Sequence, residues 1–135
     1  MDIMKIEQTK KPLKALHRLQ TIEETRSFTE DNHLAFLYVA QEGCSVCHAL
    51  LPKLRLLLEP YPEIALAVAD AQEVPQVASD YQIFSAPALL LFVEGRVYIR
   101  EGRFVQFQKL AATLERLILF ERSSDSADSP GLIGR

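Results

Sequence analysis

Apolar residues fall into dense blocks over Leu34–Ala40, Ile64–Ala69 and Ala88–Val93. Each block is apolar on both faces, the pattern of strands buried on both sides near the centre of a parallel sheet. Between the first two, Leu50, Leu51, Leu54, Leu57 and Leu58 recur at helical spacing. Pro52 lies inside that helix, and Glu59-Pro60-Tyr61-Pro62 stops it. Val74, Val77, Ala78 and Tyr81 mark a short helix over 74–81. Upstream, Thr21-Ile22-Glu23-Glu24 matches a capping box. It opens a helix that turns Ile22 and Phe28 to the core and ends at Asp31-Asn32, where Asn32 suits a left-handed closing residue. Ala15–Gln20 is a weaker strand pattern. Glu94-Gly95 is a turn, followed by alternation over Arg96–Arg100 that sets Val97 and Ile99 against Arg96, Tyr98 and Arg100. Gly102 breaks the hairpin. Phe104–Phe120 is an amphipathic helix with Phe107, Leu110, Ala111, Leu114, Leu117 and Ile118 on one side.

The order is β-α-β-α-β-α-β-β-α. Alternation predicts parallel strands with covering helices, and the closing hairpin adds antiparallel ones. The expected class is α/β, a mixed four- or five-stranded sheet flanked by helices, with functional loops at the C-terminal strand ends. Residues 1–14 are polar and lysine-rich and form a mobile arm, whose Ile3 and Ile6 could dock as an edge strand. Residues 15–122 form the domain. Residues 123–135, rich in Ser, Asp, Pro and Gly, form a disordered tail.

Composition narrows the function. With 135 residues, 48% of them apolar, the chain builds one core without staples. A net charge of −3, interspersed, lacks the basic patch that nucleic acid needs. No apolar run is long enough to span a membrane. Met1–Lys11 carries lysines without an apolar segment behind them, so it is not a secretory signal, and a cytoplasmic protein is expected.

The chain's two cysteines stand together in Gly43-Cys44-Ser45-Val46-Cys47-His48, where the first apolar strand passes into the leucine helix. A helix start presents free N–H groups and the positive end of the helix dipole, and both favour a thiolate at Cys44. Two intervening residues in a helical turn bring the second sulfur close enough to close a small disulfide. Cys44 then attacks and Cys47 resolves. His48, one turn after Cys44, adds positive charge when protonated. Three other readings stay open at this point. Two cysteines can pack as small hydrophobes. A zinc site needs about four ligands, and only His48 joins the pair locally, with His17 and His33 remote. Cys44-Ser45-Val46-Cys47-His48 also has the form of a haem c attachment site, but that attachment belongs to exported proteins, and the only methionines, Met1 and Met4, lie in the arm. No metal and no organic cofactor is expected.

From Ala15 to Phe120 the sequence resembles the thioredoxin family, as a bacterial-type member with a Cys-Ser-Val-Cys centre. The likeness rests on linked features. An apolar strand precedes Cys44, and Pro52 follows it by eight residues. Ser85-Ala86-Pro87-Ala88-Leu89-Leu90-Leu91-Phe92 is similar to the family's cis-proline segment, followed by Glu94-Gly95 and Gly102. The resemblance implies a thioredoxin-like fold and thiol–disulfide exchange. It also implies a cis Pro87 facing the disulfide, and a backbone contact at Ala86 for an extended substrate peptide. The implied partners are disulfide-containing proteins and an upstream reductase or low-molecular-weight thiol, served by a monomer.

Departures from the family are specific. Ser45-Val46 replaces Gly-Pro, which alters helix-start geometry and the redox potential. The chain has no Trp. Tyr38 stands where the family carries a buried aspartate, six positions before Cys44, and the partner lysine is missing from Ile64–Val68. Tyr38 reads as a core residue with a bonded hydroxyl, and Glu42 as a solvated neighbour. The alternative in another class is a thioredoxin-fold binding module with little redox activity.

Overall fold

The computed structural model of the protein describes residues 14–127. The expected arm before Lys14 and the end of the expected tail lie outside the described residues. The chain divides into two compact units, Met1–Phe104 and Val105–Arg135, and the domain expected over 15–122 draws on both.

The first unit runs β1 (His17–Leu19), α1 (Ile22–Asp31), β2 (Leu34–Ala40), α2 (Ser45–Leu58), β3 (Ile64–Asp70), α3 (Gln76–Tyr81), β4 (Ala88–Val93) and β5 (Arg96–Glu101). The sheet has five strands in the order β1-β3-β2-β4-β5. β1 and β2 both run parallel to β3, while β4 is antiparallel to β2 and β5. β2 is therefore central, which is why Leu34 to Val39 are all buried. Leu37 stands between Ala67 and Leu90, and Tyr38 between Val68 and Leu89. The pleat sends alternate residues to opposite faces. Leu37, Val39, Ala67 and Leu90 join Ile22, Phe28 and Val77 in one core, so α1 and α3 cover that face. Tyr38 points to the other face and reaches α2.

Thr21 caps α1, its hydroxyl accepting the Glu24 N–H at 3.0 Å. The Glu24 carboxylate reaches back to the Gln20 N–H at 2.7 Å, one residue earlier than a standard box. Asn32 is not left-handed; its φ of −107° and ψ of 130° are extended. Its side-chain amide donates to the Phe28 carbonyl at 2.9 Å, satisfying a helix-end acceptor that a left-handed closure would otherwise serve. α3 starts at Gln76, not Val74. Asp70 takes up the preceding turn: its backbone carbonyl accepts from Val74 at 2.8 Å, and its carboxylate accepts from Gln72 at 2.7 Å and Glu73 at 3.3 Å.

Lys14, assigned to the arm, is held by the domain. Arg55 donates to its carbonyl from Nε at 3.0 Å and Nη2 at 2.8 Å, and its ammonium donates to the Tyr61 carbonyl. In the hairpin, Glu94 and Gly95 both have positive φ, 51° and 82°, as a tight two-residue turn requires. The expected alternation of β5 fails. Leu91 pairs with Ile99 but Phe92 with Val97, which leaves Tyr98 as an extra, bulged residue. Ile99 is buried, whereas Val97 is 40% exposed.

Among its described residues the second unit holds one helix, α4 (Phe107–Ala127). Leu110, Leu114, Leu117 and Ile118, at helical spacing, are its buried residues. The helix does not stop at Phe120, so residues 123–127 are helical rather than part of a disordered tail. No glycine or proline interrupts Glu121–Ala127, and serine and aspartate cost a helix only tenths of a kcal/mol each.

Candidate active site

The site grows from the C-terminal end of the central strand. After Ala40 the chain turns through Gln41-Glu42-Gly43, and the Cys44 N–H closes the turn on the Gln41 carbonyl at 3.1 Å. Gly43 has a φ of 82°. A Cβ there would meet nothing within 4 Å, so glycine is needed for its conformation, not for space.

Cys44 is the N-cap of α2, with φ −91° and ψ 100°. Its sulfur accepts the Cys47 N–H at 3.1 Å, the place where a serine or aspartate oxygen caps other helices. A sulfur so placed receives an N–H bond and the positive end of the dipole, and both stabilise negative charge on it. Cys44 and Cys47 form a disulfide, their Cα atoms 5.3 Å apart, within the usual span of such a bond. The two sulfurs differ in access. Cys44 is half-buried, while Cys47 is only 3% exposed. Ser45 and His48 are exposed and Val46 is half-buried. α2 continues through Pro52, which cannot donate to the His48 carbonyl.

Tyr38 supports the Cys47 side. Its hydroxyl donates to the Cys47 carbonyl at 2.7 Å, and the side chain is fully buried. Burial pushes its pKa up from 10.0 to about 12. Near neutral pH it is a neutral phenol whose proton is already committed to that carbonyl. That bond ties the buried phenol of β2 to the backbone of the turn that carries Cys47.

A cavity of about 220 Å³ opens beside Cys47. Arg18, Tyr38, Glu42, His48 and Asp70 are among its walls. Arg18 and Asp70 join the site without having been singled out in the sequence. Asp70 had a signal, since it ends a buried strand where functional loops gather. Arg18, in a three-residue edge strand, had none. Ala40 lines the same cavity, so a small side chain at this wall leaves the space open.

The Ala86–Pro87 bond is cis. Pro87 is buried and Ala86 half-buried. Ala86 and Gln41 line one hollow, which places the loop before β4 beside the turn that carries Cys44. Gly102 closes on the same loop: a Cβ there would lie 3.7 Å from the Pro87 carbonyl oxygen. Among the described residues, no three His, Cys, Asp or Glu side chains gather to hold a metal ion, and no helix is long and apolar enough to cross a membrane.

The family model described as Thioredoxin matches residues 21–116. The thioredoxin-like protein YdfQ of Bacillus subtilis (strain 168) is 40% identical over 107 residues, covering 79% of this chain and 93% of that protein. The fold is similar to that of thioredoxin from Trypanosoma brucei brucei, with a TM-score of 0.69 at 15% identity over 79% of this chain and 94% of that one. It is also similar to oxidised mitochondrial thioredoxin 3 from Saccharomyces cerevisiae, with a TM-score of 0.62 at 20% identity over 75% and 91%. Matched by the family model over most of its length, and carrying a closed Cys-x-x-Cys pair at the start of the helix after the central strand, the chain belongs to the thioredoxin family and is a thiol–disulfide oxidoreductase.

Proposed function

We propose that Cys44 is the attacking thiol and Cys47 the resolving one in exchange with disulfides of protein substrates. One observation supports the assignment above others: the Cys44 sulfur accepts an N–H bond at the head of α2 and is the more accessible of the two. In the reduced protein the Cys44 thiolate attacks one sulfur of a substrate disulfide. A mixed disulfide forms and the other substrate sulfur leaves as a thiolate. Cys47 loses its proton and attacks Cys44, expelling the second substrate thiolate. Two electrons pass to the substrate, and the protein is left with the Cys44–Cys47 disulfide seen here. An upstream reductase or a low-molecular-weight thiol returns it to the dithiol.

Ala86 and Pro87 shape the groove for the substrate segment, with Ala86 offering its backbone. Ser45 and Val46 set the start of α2 and through it the redox potential, while His48 lies one turn after Cys44 and Pro52 removes a hydrogen bond further along the helix. Both cysteines of the chain belong to the exchanging pair, so no structural disulfide calls for an oxidising compartment. That suits a cytoplasmic protein. One copy carries the whole pair and the loop beside it, so a monomer suffices.

Dithiothreitol-driven reduction of insulin tests the assignment. Wild type accelerates it, and Cys44→Ser falls to the uncatalysed rate. Equal rates for the two proteins would overturn it.

A further inference from the structure

The chemistry above gives Phe84 no role. Phe84 is 94% exposed, more than the other large apolar side chains of the described residues. It lies in the loop between α3 and β4, shortly before Ala86–Pro87. The loop around it is anchored. Ile83 is buried, and its N–H donates to the Ala78 carbonyl at 2.9 Å. Arg100 donates to the Gln82 carbonyl at 3.2 Å, and Pro87 is buried. The backbone on either side is held, and the ring is presented to solvent.

Two hollows meet at this ring. One, of about 310 Å³, runs from Ile83 and Phe84 past Pro87 to Arg100 and Glu101 at the end of β5. The other, of about 150 Å³, lies between Phe84, Ala86 and the end of β2 at Val39 and Gln41. The Gln41 carbonyl holds the Cys44 N–H, so this second hollow ends at the turn that carries the accessible sulfur. Phe84 is thus a ridge between a groove at the disulfide turn and one leading away from it. Cys44 itself lines neither hollow, so a small disulfide at the sulfur need not touch the ridge. A polypeptide laid along Ala86 continues over it. A rigid ring with few rotatable bonds loses little entropy on burial and gains from leaving water.

We infer that Phe84 is a specificity-determining residue, the apolar anchor for a large apolar side chain in the extended segment flanking a protein substrate's disulfide. The inference rests on the proposed exchange at Cys44 and names its substrate class.

The test uses the full chain, reduced, with two synthetic disulfide peptides and bis(2-hydroxyethyl) disulfide. One peptide has leucines beside its cysteines and the other has serines. Wild type prefers the leucine peptide in kcat/KM. Phe84→Ser loses about tenfold on that peptide, mainly through KM, and loses the preference. Phe84→Leu keeps the preference. All three proteins act equally on the small disulfide. An equal fall of Phe84→Ser on the small disulfide, or no preference in wild type, overturns the role of Phe84 while leaving the exchange reaction standing. Wild type inactive on every disulfide overturns the exchange reading itself. Because the ring touches solvent on nearly all sides, the thermal midpoints of the variants match wild type.

Discussion

The two sides of the disulfide are built in opposite ways. On the Cys47 side the cysteine is buried, a buried phenol holds the helix backbone, and Arg18 of β1 and Asp70 of β3 share one cavity with His48 of α2. On the Cys44 side the sulfur is accessible, the neighbouring loop is short, and an aromatic ring stands in water. The difference separates chemistry from recognition. A step repeated identically in every turnover benefits from fixed, dehydrated positioning. A step that must admit different polypeptides needs surface that stays open until one arrives. Tyr38 and Phe84 are both large aromatic residues, and the buried one is hydrogen-bonded to the Cys47 carbonyl while the exposed one lines two surface hollows.

The sharpest way to break the comparison is Cys47→Ser. If Cys47 only resolves, this variant still attacks but cannot release. The mixed disulfide then accumulates to one substrate per protein, read by intact-mass spectrometry, and turnover falls to the uncatalysed rate. No trapped adduct would reverse the roles of the two sulfurs.

Tyr38→Phe gives a smaller effect. It removes one buried hydrogen bond to the Cys47 carbonyl and costs about 1 kcal/mol, seen as a lower urea midpoint with an unchanged slope. Because Tyr38 is held protonated by burial, the variant keeps the wild-type shape of the pH–activity profile below pH 10. A lost limb in that range would make Tyr38 a proton donor or acceptor. The same burial has a consequence at alkaline pH. The folded tyrosine titrates near 12, against 10.0 for an ordinary one. Its pKa is raised on folding, so its contribution is complete below pH 10 and declines as pH climbs toward 12. Tyr38→Phe removes that part of the alkaline loss, measured as urea midpoints from pH 9 to 11.5.

The smallest effect belongs to Arg26→Ala. Arg26 donates to Asp80 at 2.7 and 3.2 Å between α1 and α3, across the sheet from Tyr38. Both groups are solvated, and screened surface pairs contribute little despite good geometry. The urea midpoint and the activity stay at wild-type values. A fall as large as that of Tyr38→Phe would contradict the rule that burial, not pairing, sets the energetic weight here.

Much of the scaffold was legible because it depends on neighbours in sequence. The Thr21 cap involves residues three positions apart, and the Cys44 cap likewise. The buried strands announce themselves by unbroken apolar runs, and central placement in a sheet is what such runs need. Asn32 and Val97 depart from their sequence pattern for opposite reasons. Asn32 has two ways to end a helix, by its backbone or by its side chain, and only the fold selects one. Val97 follows strict alternation in sequence, but one bulged residue at Tyr98 reverses the face.

The sequence by itself determined the α/β order, the disulfide pair and its place at a helix start, since periodicity, caps and turn residues are local properties of the chain. Tertiary structure alone decided what surrounds that pair. Arg18 and Asp70 reach the Cys47 cavity because β1 and β2 both pair with β3. Tyr38 meets Cys47 because α2 folds back over the sheet. Phe84 stands in water while Phe36 and Phe92 are buried, although the three are the same residue. Burial and contact between distant segments follow from how strands are ordered side by side, and no window along the chain contains that order.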